Sequence, residues 1–280
     1  MRESASAREF SSLWQGIYDF PFRLSNLKAY MIVTLSLIML AFAIVGFAIL
    51  TDVVKSSIPE GKELMGVNPY VLSGARYVFT GLVFLTFLSC LAPSGFFTLI
   101  IEDTAAGNDE VDWPDNVWYE YISKVAFMLW IFGCCAAFST IFWLLVDLAA
   151  PIPGVIWWLV TLASAMMMFP IPLYSSMIAG SPWILLHPQL IVRFLEKPLA
   201  ALAVYMHVAI FGIPCLGLGL WMILSLSWWA APVIGVIWAT CFLWYARGLG
   251  RIGYVLSQDS PTVRRRKKRK KARVRREADD

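Results

Sequence analysis

The sequence predicts an all-α fold, a polytopic transmembrane helix bundle of six spans, and two observations carry that expectation. The first is the placement of charge. Residues 29–51, 77–101, 125–192 and 198–246 hold no Lys, Arg, Asp or Glu except Asp147. These runs of 23, 25, 68 and 49 residues correspond to one, one, two and two crossings, because a hydrocarbon core about 30 Å thick takes roughly 20 helical residues. The second is continuity. In lipid the backbone must satisfy its own polar groups, as helix or closed barrel, and barrel strands would alternate apolar with polar residues. Here the apolar character is unbroken, which selects helices. Composition agrees: 59% of the residues are apolar, against about 45–50% in soluble domains.

Residues 1–28 make an N-terminal segment in which 11–24 is expected to form a short interfacial helix. Ser11 or Ser12 can cap it, Leu13, Trp14, Ile17 and Tyr18 cluster on one face, and Pro21 ends it. Such a helix buries its apolar stripe at headgroup level. No cleavable signal peptide is visible, since the first apolar run is too long for one and follows Glu3, Glu9 and Asp19. It is expected to stay as a signal anchor.

The membrane domain covers 29–257, with spans near 29–51, 78–101, 123–148, 155–178, 199–224 and 229–245. Span two is interrupted at Pro93-Ser94-Gly95 and span four at Pro170 and Pro172. Residues 182–192 are apolar but too few to cross, so they are interfacial or re-entrant. The tail, 258–280, has too few apolar residues to fold alone and is expected to be disordered.

Net charge of +4 conceals an asymmetry: residues 259–280 hold eleven Lys/Arg and four Asp/Glu, the rest twelve and fifteen. The positive-inside rule counts basic residues in short loops near span ends. Arg2, Arg8, Arg23, Lys28, Lys124, Arg193, Lys197, Arg247, Arg251 and the tail fall on one side, against Lys55, Lys62 and Arg76 on the other. Both termini are therefore expected in the cytoplasm.

The most unusual polar segment is the loop 102–120, with seven carboxylates and no base. Glu102, Asp103, Asp109, Glu110, Asp112 and Asp115 make either a solvated acidic loop or a surface that docks a membrane-protein partner. Clustered carboxylates can bind hard cations, but their spacing does not match an EF-hand. Facing them is the run Arg264, Arg265, Arg266, Lys267, Lys268, Arg269, Lys270 and Lys271. It would gain from anionic lipid near the cytoplasmic surface, or from phosphates such as those of ribosomal RNA. No aromatic residue interleaves it to stack on bases, and no DNA partner is expected. Sharing one face, tail and acidic loop could also pair with each other.

Within the spans, Asp147 and His207 are the ionisable residues, a class that marks function by default. Asp147 lies near an outer span end, where hydration is cheap. His207 is deeper, and the two are not expected to form a relay. The interruptions at Pro93, Gly95, Pro170 and Pro172 fall at similar depth, a pattern that can mark a transporter site, although prolines are common in membrane helices. The five cysteines all lie in apolar runs without metal spacing, so packing is their expected role. No nucleophile–base motif, P-loop or zinc signature is present, and no cofactor, metal or enzymatic activity is expected.

Glu102-Asp103 closing a span, the Gly107-Asn108-Asp109 turn, Asp112-Trp113-Pro114 and the Pro-rich stretch 169–174 together resemble uncharacterised bacterial polytopic inner-membrane families. That resemblance covers about 76–200 and implies inner-membrane placement without any chemistry. The expected role is a non-enzymatic interaction or scaffold component with an acidic cytoplasmic loop and a lipid-binding basic tail. The alternative is a small-solute transporter or channel built on the paired helix breaks.

Overall fold

The computed structural model describes residues 16–57, 69–111, 113, 118–150 and 153–258. Among them the regular elements are α1 (Leu27–Ser56), α2 (Pro69–Ala106), α3 (Trp118–Ala149), α4 (Gly154–Met168), α5 (Pro170–Ala179), α6 (Pro188–Glu196), α7 (Pro198–His207), α8 (Ile213–Ser225) and α9 (Ala231–Gln258). With α4–α5 and α7–α8 each serving as one crossing, six helical segments are long and apolar enough to span a membrane. The protein is an all-α, multi-pass membrane protein.

Helices persist here because every backbone N–H and C=O must find a partner inside its own segment. Hydroxyls follow the same rule: Thr51, Thr80, Thr86, Ser89 and Thr98 donate to carbonyls four residues earlier. Large apolar side chains such as Met31, Leu35, Phe84, Phe142 and Leu145 point outward and exposed. In water that would be a liability; against acyl chains it is the expected surface.

α1, α2 and α9 form the hub. α1 runs antiparallel to both neighbours. Phe47 meets Phe79 of α2 edge to face at 5.6 Å, and the hydroxyls of Tyr30 and Thr240 share a hydrogen bond of 3.1 Å to α9. Gly235 lets the α1 backbone at Ile38 approach α9 so closely that a Cβ there would collide with it. α9 runs parallel to α2, with Phe97 and Phe242 at 5.0 Å between ring centroids. α3 and α4 pack as an antiparallel pair beside the hub, joined where Trp143 Nε1 donates to Ser164 Oγ at 3.0 Å.

Several elements differ from the sequence expectation. Pro93 does not break its span: α2 continues through it to Ala106. At the second interruption Phe169 keeps helical dihedrals (φ −50°, ψ −42°). Its N–H donates to Ala165 and its carbonyl accepts from Leu173, so only the N–H groups that Pro170 and Pro172 lack interrupt the ladder. The last helix does not stop at 245 but runs to Gln258. Span five contains a π-helical turn at Val208–Gly212, next to Pro214, which has no N–H to hold the α register.

The N-terminal segment is not an α-helix over its described part. It turns through 16–19 and then forms single 3₁₀ turns at Phe20–Phe22 and Leu24–Asn26. Ile17 and Phe20 are fully buried in the protein rather than laid on lipid; Leu13 and Trp14 lie outside the described residues. Of the residues expected to be interfacial or re-entrant, those before α6 form a turn at 182–183 followed by irregular chain, and α6 itself buries Leu190 while exposing Ile191, Val192 and Leu195.

Candidate functional site

One end of the bundle gathers the polar chemistry. The 16–26 segment, the loop after α2, the α5–α7 connection and the C-terminal half of α9 all meet there. Asp147 sits at the opposite end, in the last turn of α3.

At its centre is Arg247, a wholly buried side chain within α9. Sequence reading counts it only as a basic residue past the end of span six. Its Nη1 donates to Thr104 Oγ1 at 2.6 Å and to the Asn108 carbonyl at 3.2 Å. Its Nη2 donates to the Asp109 carbonyl at 2.8 Å, with Asp109 Oδ1 3.5 Å away. The Phe20 ring covers the guanidinium, 4.8 Å from its carbon. A guanidinium suits this place because its planar fork of donors reaches several acceptors at once, and a buried cation must be paired and hydrogen-bonded to be tolerated. One turn further along α9, Arg251 donates to the same Asp109 carboxylate.

The acceptors are presented by the way α2 ends. Gly107 adopts φ +93°. Its N–H donates to the Thr104 carbonyl, and that of Asn108 donates to Asp103, both at 3.0 Å. This is a Schellman closure, which favours glycine at its left-handed position. The Tyr254 ring of α9 packs where a Gly107 side chain would stand. Gly250, at the same level, admits Thr104 to the surface of α9. The turn thus has two reasons for its glycine, one conformational and one steric.

Further ties close this face. Trp113 Nε1 donates to Asn26 Oδ1 at 3.2 Å, and Asn26 Nδ2 donates to the Phe20 carbonyl at 2.7 Å. Trp113 also meets Phe96 edge to face. Its indole thus packs on protein. Trp244 Nε1 donates to the Tyr18 carbonyl. Tyr174 of α5 donates to the Leu249 carbonyl at 2.6 Å. Lys197 and Arg193 donate to the carbonyls of Val255 and Leu256, supplying positive charge where α9's dipole ends negative. At the rim, Arg23 hydrogen-bonds Asp19 at 2.8 Å and so holds that exposed carboxyl below the usual carboxylate range.

The remaining sequence candidates distribute as follows. Glu102, Asp109 and Glu110 are exposed and Asp103 half-buried, with Glu102 3.9 Å from Lys124. Asp112 and Asp115 lie outside the described residues, as does the whole run from Arg264 to Lys271, so its pairing with the loop has no structural counterpart to report. His207 is buried, its Nδ1 2.7 Å from the Ala203 carbonyl, and its ring packs on Gly248 of α9. Since Asp147 is at the other end of the molecule, the two do not come together. Pro93, Gly95, Pro170 and Pro172 are buried, and their neighbours Ser94 and Phe169 do converge, on a cavity of about 270 Å³. Its wall is mostly Phe, Met and Leu. The cysteines are free thiols, Cys135 buried and the others partly so, and no His, Cys, Asp and Glu cluster among the described residues could hold a metal.

No family model, no curated protein and no solved structure matches this chain.

Both terminal nitrogens of Arg247 are bonded within the fold, its Nε has no hydrogen-bond partner among the described residues, and exposed carboxylates stand at the rim. Arg247 is the residue that sequence reasoning missed. The available signal was its spacing, since Arg247 and Arg251 are four apart on an otherwise apolar helix and so share one face.

Proposed function

We propose that this protein is a non-enzymatic interaction or scaffold component of a bacterial inner membrane, with both termini and the acidic loop in the cytoplasm. The observation that carries the reading is the contrast between its two regions. Even beside Pro93 and Phe169 the interior presents mostly apolar side chains, whereas Arg247 and Arg251 brace the loop after α2 into a fixed, carboxylate-bearing face. A braced surface loop suits recognition, because little order remains to be imposed on binding. Glu102, Asp103, Asp109 and Glu110, continued by Asp112 and Asp115, would meet a basic segment of a membrane-protein partner. The tail from Arg264 to Lys271 would hold to anionic lipid beside it, each base gaining about 1 kcal/mol near the surface.

Transport is the second reading, favoured by the convergence of both proline-bearing stretches on one cavity. A hydrophilic solute would find few polar groups there, since the lining residues that carry one are Cys90, Ser94 and Tyr245, and the Tyr245 hydroxyl is buried. The two readings separate in one experiment. A photo-crosslinking residue at Glu110, in native membranes, should give a discrete adduct that weakens when neighbouring carboxylates are neutralised, while proteoliposomes leak small solutes no faster than empty vesicles. Solute flux above that background, with no adduct, would reverse the preference.

A further inference from the structure

Cys215 stands ten positions before the end of α8, and Cys241 ten positions after the start of α9. The antiparallel hairpin therefore brings both to one level, about 15 Å from its turn at 1.5 Å per residue. Trp238, one turn before Cys241, fixes that register. Its Nε1 donates to the Cys215 carbonyl at 3.1 Å, and its ring packs against Gly219. Across the helix pair the two thiols hydrogen-bond each other. We propose that this pair, with the Met166 thioether of α4, is a binding site for a soft monovalent cation, Cu(I). The inference goes beyond the interaction role and does not depend on it.

Three sulfur-bearing side chains share one cavity. Cys215, Cys241 and Met166 line the space of about 220 Å³ between α1, α4, α8 and α9. Met166 reaches from α4 to Gly212, where an added Cβ would meet its methyl at 2.6 Å and its sulfur at 3.5 Å. Gly212 is one turn before Cys215, on the same face of the helix. The π-helical turn Val208–Gly212 ends at this point, and single π turns recur at functional positions of α-helices. Both thiols are half-buried rather than sealed. Packing alone, the role expected of these cysteines, would close the space beside them.

Chemistry then selects the cation. Thiolate and thioether are soft ligands, which favour Cu(I) and disfavour Mg²⁺, Ca²⁺ and Mn²⁺. Structural zinc takes four ligands, and no group of three His, Cys, Asp or Glu assembles among the described residues; Cu(I), a closed-shell ion, is satisfied by fewer. Net charge is costly at this depth. Cu(I) takes the place of one thiol proton, which leaves to solvent, and the resulting thiolate–thiol–thioether complex is neutral. An acyl chain can lie against the apolar walls, but it makes no bond to sulfur and gives no reason for paired thiols.

The full-length protein in detergent, kept free of oxygen, tests this with Cu(I) added as its acetonitrile complex against a chromogenic Cu(I) chelator. We expect one Cu(I) retained per chain and no Zn(II), with X-ray absorption showing three sulfur neighbours and no nitrogen or oxygen. Replacing Cys90, Cys134 and Cys135 by Ser should leave that stoichiometry unchanged. Cys215→Ser combined with Cys241→Ser should lose it, and Met166→Leu, which conserves volume, should lower the sulfur count to two. No retention by the native protein, equal retention of Zn(II), nitrogen or oxygen neighbours, retention that survives loss of the pair, or an unchanged sulfur count in Met166→Leu would each overturn the proposal. So would a Cys215–Cys241 disulfide in protein alkylated within native membranes. The native measurements need no variant, and the chain that keeps only the pair assigns the site from a gain rather than a loss, so folding failure does not obscure the answer.

Discussion

Arg247 shows how much one side chain can decide. It is wholly buried, and its two terminal nitrogens donate to Thr104, Asn108 and Asp109. Removing one partner of a buried charged pair typically costs about 3–5 kcal/mol. For Arg247→Met, which fills the volume without leaving a charge, a cost of about 2–3 kcal/mol is the better expectation, dominated by the lost charge-assisted bonds. Arg247→Lys keeps the charge but not the planar fork, and should cost as much or more. Asp109→Asn should be far milder, below about 1 kcal/mol, because that carboxylate is 71% exposed and exposed pairs contribute little. Chemical unfolding in detergent gives the ranking, and an Asp109 effect as large as that of Arg247 would contradict it.

At the scale of elements, the prolines separate what composition can say from what only packing decides. Pro93 reads as a break because it removes an N–H and crowds the preceding turn, yet α2 passes through it. In a bundle, neighbouring helices hold the segment in line and tertiary contacts outweigh local propensity. Pro93→Ala should therefore restore a hydrogen bond to the Ser89 carbonyl and raise the thermal midpoint in detergent. A marked fall would mean that the kink itself is required. The presence of helices and their approximate limits were legible because charge is excluded from hydrocarbon. The extension of α9 to Gln258 was not: Arg247 and Arg251 look like span-end residues until their acceptors, more than a hundred positions earlier, are in place. Long-range pairing of that kind leaves no local periodicity. The N-terminal segment misled for a related reason, since Ile17 and Phe20 are apolar at helical spacing whether they face lipid or a protein groove.

For the whole molecule, polar chemistry is segregated to one end and the membrane interior is apolar, with Trp221, Trp228 and Trp229 exposed at the other end as an interfacial belt. Six crossings put the start of α1, the loop after α2, the α5–α7 connection and the end of α9 on a common face, which the orientation proposed above from the basic-residue count makes cytoplasmic. Single cysteines placed at Phe22, Glu110 and Glu196 in a chain with its native cysteines replaced, and a control at Ser56, can be labelled with a membrane-impermeant maleimide in sealed vesicles of known orientation. We expect the first three to react only in inverted vesicles and Ser56 only in right-side-out ones. Labelling of Glu110 from the face opposite to Phe22, or of all three from the periplasmic side, would contradict the single cytoplasmic docking face on which the functional reading rests.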